Sequence, residues 1–231
     1  METILREGLA ALSLPTEGIP ALLRYWELLA EKNKVMNLTA ITDPAGATRL
    51  HFLDSAALLA LADLRGKNLV DVGTGAGFPG LPLKILEPSI RLTLLDAQRK
   101  RVDFLQEVCQ DLGLEGVECI HGRAEEFTQQ RRETFDFAVS RAVAALPVLA
   151  ELCLPLVKVG GQFLSMKSVD SNEELNSAGR AVSLLGGRLE KTVDYVISGT
   201  NIPRRLVILT KIEETPKKYP RTFAKIKKNP L

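Results

Sequence analysis

A chain of 231 residues with 45% apolar content can bury one sizeable core plus a small appendage. No apolar run reaches the ~18 residues of a membrane helix and no charged-then-apolar leader opens the chain, so the expectation is a cytoplasmic protein without a membrane partner. The net charge of +2 is unevenly spread: Arg204 to Leu231 holds nine Lys/Arg against Glu213 and Glu214, which leaves the remainder negative and points to a polyanionic partner met by the C-terminal end.

The spacing of Ile4, Leu5, Leu9 and Leu12 predicts a helix over 2–14, and that of Ile19, Leu22, Leu23, Trp26 and Leu29 a second over 18–33, with Pro15 between them. Asn37-Leu38-Thr39 reads as a turn, and a third helical segment runs from Pro44 to about Leu61, broken near Asp54-Ser55. Residues 1–66 thus form a helical N-terminal cap on a domain spanning 67–213. There the chain alternates: strand 68–72, helix 79–86, strand 91–95 ending on Asp96, helix 99–112, strand 117–120, loop 121–125, strand 135–140, helix 145–157, strand 162–165 and helix 172–185. Runs 188–197 and 204–212 close it as a hairpin. The fold class expected is α/β, with a seven-stranded, mostly parallel sheet and an antiparallel last strand; residues 214–231 remain as a basic tail. Cys109, Cys119 and Cys153 show neither C-x-x-C nor a nearby histidine pair, which predicts reduced thiols and no metal site.

The first strand runs into Asp71-Val72-Gly73-Thr74-Gly75-Ala76-Gly77-Phe78-Pro79-Gly80. Strand, glycine loop and helix in that order form the first turn of a doubly wound sheet, and Gly73, Gly75 and Gly77 let a flat ligand lie against the backbone. The segment from Gly75 formally spells the dinucleotide pattern, a weak signal alone. Asp71 would repel a pyrophosphate but not a cationic ligand, which favours S-adenosylmethionine; Asp71-x-Gly73-x-Gly75-x-Gly77 resembles the first motif of class I, Rossmann-like methyltransferases. Asp96, at the end of the second strand, is placed to accept from ribose hydroxyls, its alternative role being to cap the next helix. Ala97 and Gln98 would line the same rim, and Glu125 after Ala124 could hold an adenine amino group. Val139-Ser140-Arg141-Ala142 ends the fourth strand, where acceptor and methyl should meet. No Asn/Asp-Pro-Pro-Tyr/Phe and no Pro-Cys occurs, which disfavours exocyclic-amine and pyrimidine-C5 chemistry and favours an atom with a free lone pair, such as guanine N7.

Taken together, Asn37-Leu38-Thr39, His51-Phe52-Leu53-Asp54-Ser55, Asp71 to Pro82, Asp96 to Arg101, Arg123-Ala124-Glu125-Glu126, Ser140-Arg141-Ala142-Val143, Met166-Lys167 and Thr215 to Arg221 resemble the RsmG (GidB) family. The resemblance implies an S-adenosylmethionine-dependent enzyme, expected to act as a monomer, that methylates guanine N7 in 16S ribosomal RNA or a small-subunit assembly intermediate. It implies cofactor contacts at Gly73, Phe78, Asp96, Ala97, Gln98, Ala124, Glu125 and Arg141, and RNA- or substrate-side cations at Arg123, Arg141, Lys167 and Arg205. Single cations of this kind also serve as solvated charges or carboxylate partners, and His51 reads as a packed or capping histidine. Two other classes stay open: a nicotinamide-dependent oxidoreductase, which should lack the last hairpin and basic tail, and a non-catalytic RNA-binding module, which would not need Asp71 or Asp96.

Overall fold

Leu69, Val70 and Val72 are buried together with Asp71, as expected of a strand covered on both faces by helices rather than one with a wet side. In the computed structural model, which describes residues 1–141 and 144–231, this strand lies inside a seven-stranded sheet. The strands are β1 (Asn68–Val72), β2 (Arg91–Asp96), β3 (Val117–His121), β4 (Phe135–Arg141), β5 (Val157–Lys167), β6 (Gly187–Val196) and β7 (Pro203–Lys211). Their order is β3-β2-β1-β4-β5-β7-β6. Pairings among the first five are parallel, and β7 runs antiparallel to both β5 and β6. The order reverses between β1 and β4, so a crevice opens beyond their carboxyl ends.

The N-terminal cap comprises α1 (Glu2–Ala11), α2 (Ile19–Met36), α3 (Pro44–Ala47), a widened π-helical turn over Thr48–Leu53, and α4 (Asp54–Leu61). Leu5, Leu9, Leu22, Tyr25, Leu29 and Phe52 from the cap are buried in one cluster with Leu69, Leu81, Leu94 and Phe104 of the sheet layer. Burying each such side chain contributes ~1.5–3 kcal/mol. The cap and one face of the sheet therefore share a core. Between strands lie α5 (Gly80–Leu86), α6 (Arg99–Asp111), α7 (Ala124–Arg131), α8 (Leu146–Cys153) and α9 (Asn172–Leu184), with α10 (Phe223–Lys228) near the end.

Three local expectations are corrected. The third helical segment is interrupted over Thr48–Leu53, ahead of the predicted break at Asp54. The loop expected over 121–125 is shorter, and α7 begins at Ala124 and runs to Arg131, a stretch whose amphipathic signal is short and interrupted by Thr128-Gln129-Gln130. The helix predicted over 145–157 stops at Cys153, because Pro155 cannot extend the backbone ladder, and β5 begins at Val157 and carries Gly160-Gly161 within it. The basic tail is also held down. Arg221 donates to both oxygens of the fully buried Glu151 carboxylate (2.8 and 2.6 Å), and Arg132 donates to the carbonyls of Tyr219 and Thr215 at 2.9 and 2.6 Å.

Candidate functional site

Two cavities meet at the carboxyl end of the sheet. The first, of about 440 Å³, is lined by Leu38, Thr39, His51, Gly73, Thr74, Gly75, Ala76, Phe78, Asp96, Ala97, Gln98, Arg101 and Arg141. Its floor follows from backbone geometry. Gly75 has φ +63 and an added Cβ would meet nothing within 4 Å, so the loop presents bare backbone to open space. The Gly75 N–H donates to Asp96 Oδ2 at 3.0 Å, and Gln98 N–H donates to Oδ1 at 2.8 Å. Arg101 approaches Oδ2 only at 3.5 Å. A carboxylate has about four acceptor positions, so Asp96 keeps capacity for two hydroxyl donors from the cavity. The helix N-cap is Gln98 and not Asp96, whose two bonds instead tie the glycine loop to the turn before α6 and leave the carboxylate open to the cavity. A nucleoside-sized ligand with a flat base and paired hydroxyls fits this combination of volume, bare loop and carboxylate.

Asp71 and Gly77 stand behind that floor and do not line it. Asp71 is fully buried; its Oδ2 accepts from the Thr74 hydroxyl at 2.7 Å and from Gly80 N–H at 2.9 Å, stapling the loop to the start of α5. Its Oδ1 has no hydrogen-bond partner among the described residues. Desolvation raises its pKa to about 6 despite the two hydrogen bonds. The alternation of β1 turns Asp71 inward, so it acts on a ligand through loop shape rather than by facing it. At Gly77 (φ +104) a Cβ would lie 2.5 Å from the Tyr25 hydroxyl, so this glycine admits the cap helix α2, not a ligand.

The opposite wall comes from the cap. Phe78, at the end of the glycine loop, stacks against Tyr25 (5.3 Å between ring centroids) and His51 (4.6 Å) and meets Phe52 edge-on. Arg141, the last residue of β4, lies 5.3 Å from the same ring centroid. Its Nη1 donates to the Leu50 carbonyl at 3.0 Å and to Asp54 Oδ2 at 3.1 Å, and its Nη2 lies 3.3 Å from His51 Nδ1. Because a guanidinium can only donate, Nδ1 must be the acceptor, which leaves the proton on Nε2 facing the Thr39 hydroxyl 2.8 Å away. Desolvation first, and the Arg141 charge second, lower the His51 pKa to about 4, so the ring is neutral at neutral pH. Asn33 fixes the Thr39 backbone through two bonds of 2.9 Å.

His51 and Arg141 also line the second cavity, of about 500 Å³, together with Ile41, Leu50, Asp54, Met166, Lys167, Ser168 and Arg204. Asp54 is almost wholly buried, and its Oδ1 accepts from the Tyr195 hydroxyl at 2.9 Å, which ties the cap to the β6–β7 hairpin. Lys167 donates to the Ala144 carbonyl and to Glu174, both at 2.6 Å. The two cavities thus share one wall, built of a neutral imidazole and a paired guanidinium.

The other expected residues lie elsewhere. Ala124 is buried, and Glu125 Oε1 accepts from Phe223 N–H at 3.2 Å, capping α10 rather than facing the first cavity. Arg123 lies over the Phe223 ring at 5.2 Å, because the C-terminal segment packs across the start of α7. Arg205 is bound to both oxygens of Asp194 (2.6 and 2.7 Å) and to Asn172 Oδ1 (2.5 Å), off both cavities. Ala142 and Val143, part of the motif after β4, lie outside the described residues. Sequence reasoning undervalues His51 and does not single out Thr39, Asp54, Arg101 or Arg204 as lining groups. His51, Thr39 and Asp54 fall in Asn37-Leu38-Thr39 and His51 to Ser55, and Arg101 ends Asp96 to Arg101, so their signal is the motifs themselves.

A family model described as rRNA small subunit methyltransferase G (GidB) matches residues 18–202. A ribosomal RNA small subunit methyltransferase G of Clostridium botulinum is 45% identical over 213 residues, covering 91% of this chain and 89% of its own. The protein of that name in Alkaliphilus oremlandii is 44% identical, covering 100% of this chain and 99% of its own. Among solved structures, TrmN from Thermus thermophilus superposes with a TM-score of 0.54 at 23% identity, over 68% of this chain and 48% of its own. A SAM-dependent methyltransferase from Aquifex aeolicus does so with 0.52 at 19% identity, over 72% of this chain and 93% of its own. The structural likenesses carry the α/β methyltransferase fold, and the sequence matches carry the identity: the chain belongs to the rRNA small subunit methyltransferase G (GidB) family.

Proposed function

We propose that the protein transfers a methyl group from S-adenosylmethionine to N7 of a guanine in 16S ribosomal RNA of the small subunit, by direct in-line displacement. The observation that carries this reading is the state of the acid–base groups on the two cavities. His51 is neutral, with its acceptor nitrogen facing Arg141 and its proton facing Thr39. Asp54 accepts from Arg141 and Tyr195, and Asp96 from Gly75 and Gln98. Where the two cavities meet, His51 and Asp54 are both engaged, and neither is a free general base among the described residues. An acceptor that must lose a proton before attack is poorly served there, whereas guanine N7 already offers a lone pair at neutral pH.

Bound in the first cavity, the cofactor supplies an electrophilic methyl on sulfur. The chain's own work is positioning: Asp96 takes the ribose hydroxyls, the bare loop at Gly73 and Gly75 admits close approach, and Phe78, His51 and Arg141 form the wall toward the second cavity. Holding two reactants in register can supply ~7–11 kcal/mol of the barrier. The guanine occupies the second cavity with N7 turned toward the first, where the two cavities meet beside His51 and Arg141. Nuclease digestion of RNA treated with labelled cofactor, chromatographed against nucleoside standards, tests the reading. Label in 7-methylguanosine is expected, with kcat free of any required deprotonation between roughly pH 6 and 9; label in an exocyclic-amine, ribose or C5 product overturns it.

A further inference from the structure

Three cations line the second cavity, and they differ in what they have left to give. Lys167 is committed to the Ala144 carbonyl and Glu174. Arg141 is committed to Leu50, Asp54 and His51. The Arg204 side chain makes no hydrogen bond among the described residues; its Nε stands 3.9 Å from Asp54 Oδ1, close enough to be oriented by that charge but too far to be consumed by it. Its side chain is 29% exposed and lines the cavity, so its donors can be reached from there.

The backbone explains why this arginine and not its neighbour faces the cavity. On β7, Arg204 pairs with Tyr195 and Arg205 pairs with Asp194. Directly opposed residues share a face and successive residues alternate. Tyr195 and Arg204 therefore point together toward Asp54, while Asp194 and Arg205 point together to the other side, where Arg205 is fully paired. Lys167, the last residue of β5, registers with Arg205, which sets Arg204 just past the end of that strand, where a ligand beyond the sheet is met.

We infer that Arg204 is the residue that selects guanine, by donating to O6 of the base while leaving N7 free; the inference rests on the methyl-transfer reading above. Guanine presents two acceptors side by side, O6 and N7, whereas adenine presents N7 beside an amino donor. A donor-only guanidinium at the six-position accepts the first and opposes the second. A fork gripping O6 and N7 together would occupy the attacking lone pair, so the contact is to O6 alone. Asp54 is the positioning residue: fixed by Tyr195 and Arg141, it holds a charge beside Arg204 without taking its hydrogens.

The test uses the purified full-length chain and small-subunit RNA, with the modified nucleotide first located by mass spectrometry. RNA carrying 2,6-diaminopurine at that position replaces O6 by an amino donor and keeps N7. Wild-type enzyme should prefer guanine strongly. Arg204→Ala should lower kcat/KM for guanine roughly 10- to 100-fold and collapse the guanine/diaminopurine ratio toward one, with cofactor affinity and melting temperature unchanged. Arg205→Ala should leave the ratio at its wild-type value. If Arg204→Ala melts early, Arg204→Met, which keeps the side-chain length without a donor, carries the same comparison. A ratio that survives loss of Arg204 overturns the inference, as does a fall of about one in the slope of log KM against log salt with the ratio intact, since that marks a phosphate contact. Wild-type enzyme that places no methyl on N7 refutes the methyl-transfer reading instead, so the two failures are separable.

Discussion

The two walls of the first cavity reach their positions by different physics. The sheet-side wall, Gly73 to Phe78 and Asp96 to Gln98, is set by strand ends and short loops within one βαβ unit, and its key bond is a backbone N–H of one loop on the carboxylate of the next. The cap-side wall, Leu38, Thr39 and His51, comes from a loop and a π-helical turn that precede the sheet and is held through side chains: Asn33 on the Thr39 backbone, Phe78 against His51, Arg141 on the Leu50 carbonyl and Asp54. A wall made of backbone fails when a Cβ is added. One made of side chains fails when a charge or a ring is removed.

The sheet-side wall is where the largest effect is expected. Gly75→Val puts a branched side chain at a positive φ, strained by ~1–3 kcal/mol, and aims it into open cavity. Cofactor binding should vanish in calorimetry while circular dichroism stays native, because nothing in the packed core is touched; normal binding would mean the floor has been misread. Asp96→Ala should weaken cofactor binding ten- to a hundredfold, as two hydroxyls lose a charged acceptor worth ~1.5–3 kcal/mol. It also frees the Gly75 and Gln98 N–H groups, so the loop should exchange amide hydrogen faster in the absence of ligand. Unaltered affinity would leave Asp96 with the bracing of the Gly75 loop alone.

The same difference decides what is legible in the chain. A glycine loop after an apolar strand and a carboxylate at the next strand end have fixed spacing, so the sequence alone places Gly73, Gly75, Asp96, Ala97 and Gln98 on the cavity. The cap wall depends on a π-helical turn, and the second cavity on which face of β7 an arginine takes; neither has a local signature. The sequence points to Arg205 while Arg204 lines the cavity, because successive residues of β7 take opposite faces and nothing local marks which face meets the cavity. Glu125 and Arg123 sit where an adenine contact would be sought, yet α10, folded from a stretch legible only as charge, packs there. Asp71, expected to face a cation, instead braces the loop from below.

His51 on the cap wall and Asp71 behind the sheet-side floor should answer oppositely to pH. His51 has a folded pKa of about 4 against 6.5 unfolded, so as pH falls from 6.5 the unfolded chain takes the proton first. Its contribution to stability is complete above pH 6.5 and is lost on the way down to about 4. Asp71, raised to about 6 from 3.8, runs the other way: its protonated form favours the folded state, and that advantage is lost as pH rises through 6. The stability difference between wild type and His51→Gln should therefore grow by roughly 2–3 kcal/mol from pH 4 to pH 6.5, while that between wild type and Asp71→Asn should shrink over the same window. Denaturant melts at pH 4, 5, 6 and 7 measure both. A pH-independent offset for His51→Gln would show that its ring is hydrated.

The smallest effect belongs to the C-terminal segment, where the same contrast between held and free groups recurs. Arg221 is bound to buried Glu151 and cannot serve RNA without leaving a carboxylate unpaired, a rearrangement costing several kcal/mol. Lys217 and Lys218 are exposed and make no ion pair among the described residues. If this face meets RNA, each lysine contributes as a point charge on phosphate, which positions the RNA without reading its sequence. Reversing both to Glu should raise the KM for RNA several-fold at physiological salt. It should also flatten the slope of log KM against log salt by about one for each phosphate no longer neutralised, with cofactor affinity and melting temperature unmoved. Arg221→Glu should do the reverse, lowering the melting temperature at every salt concentration because it places two carboxylates together in the core. A KM that ignores the lysine reversals would assign the exposed charges to solvent and leave RNA binding to the cations around the second cavity.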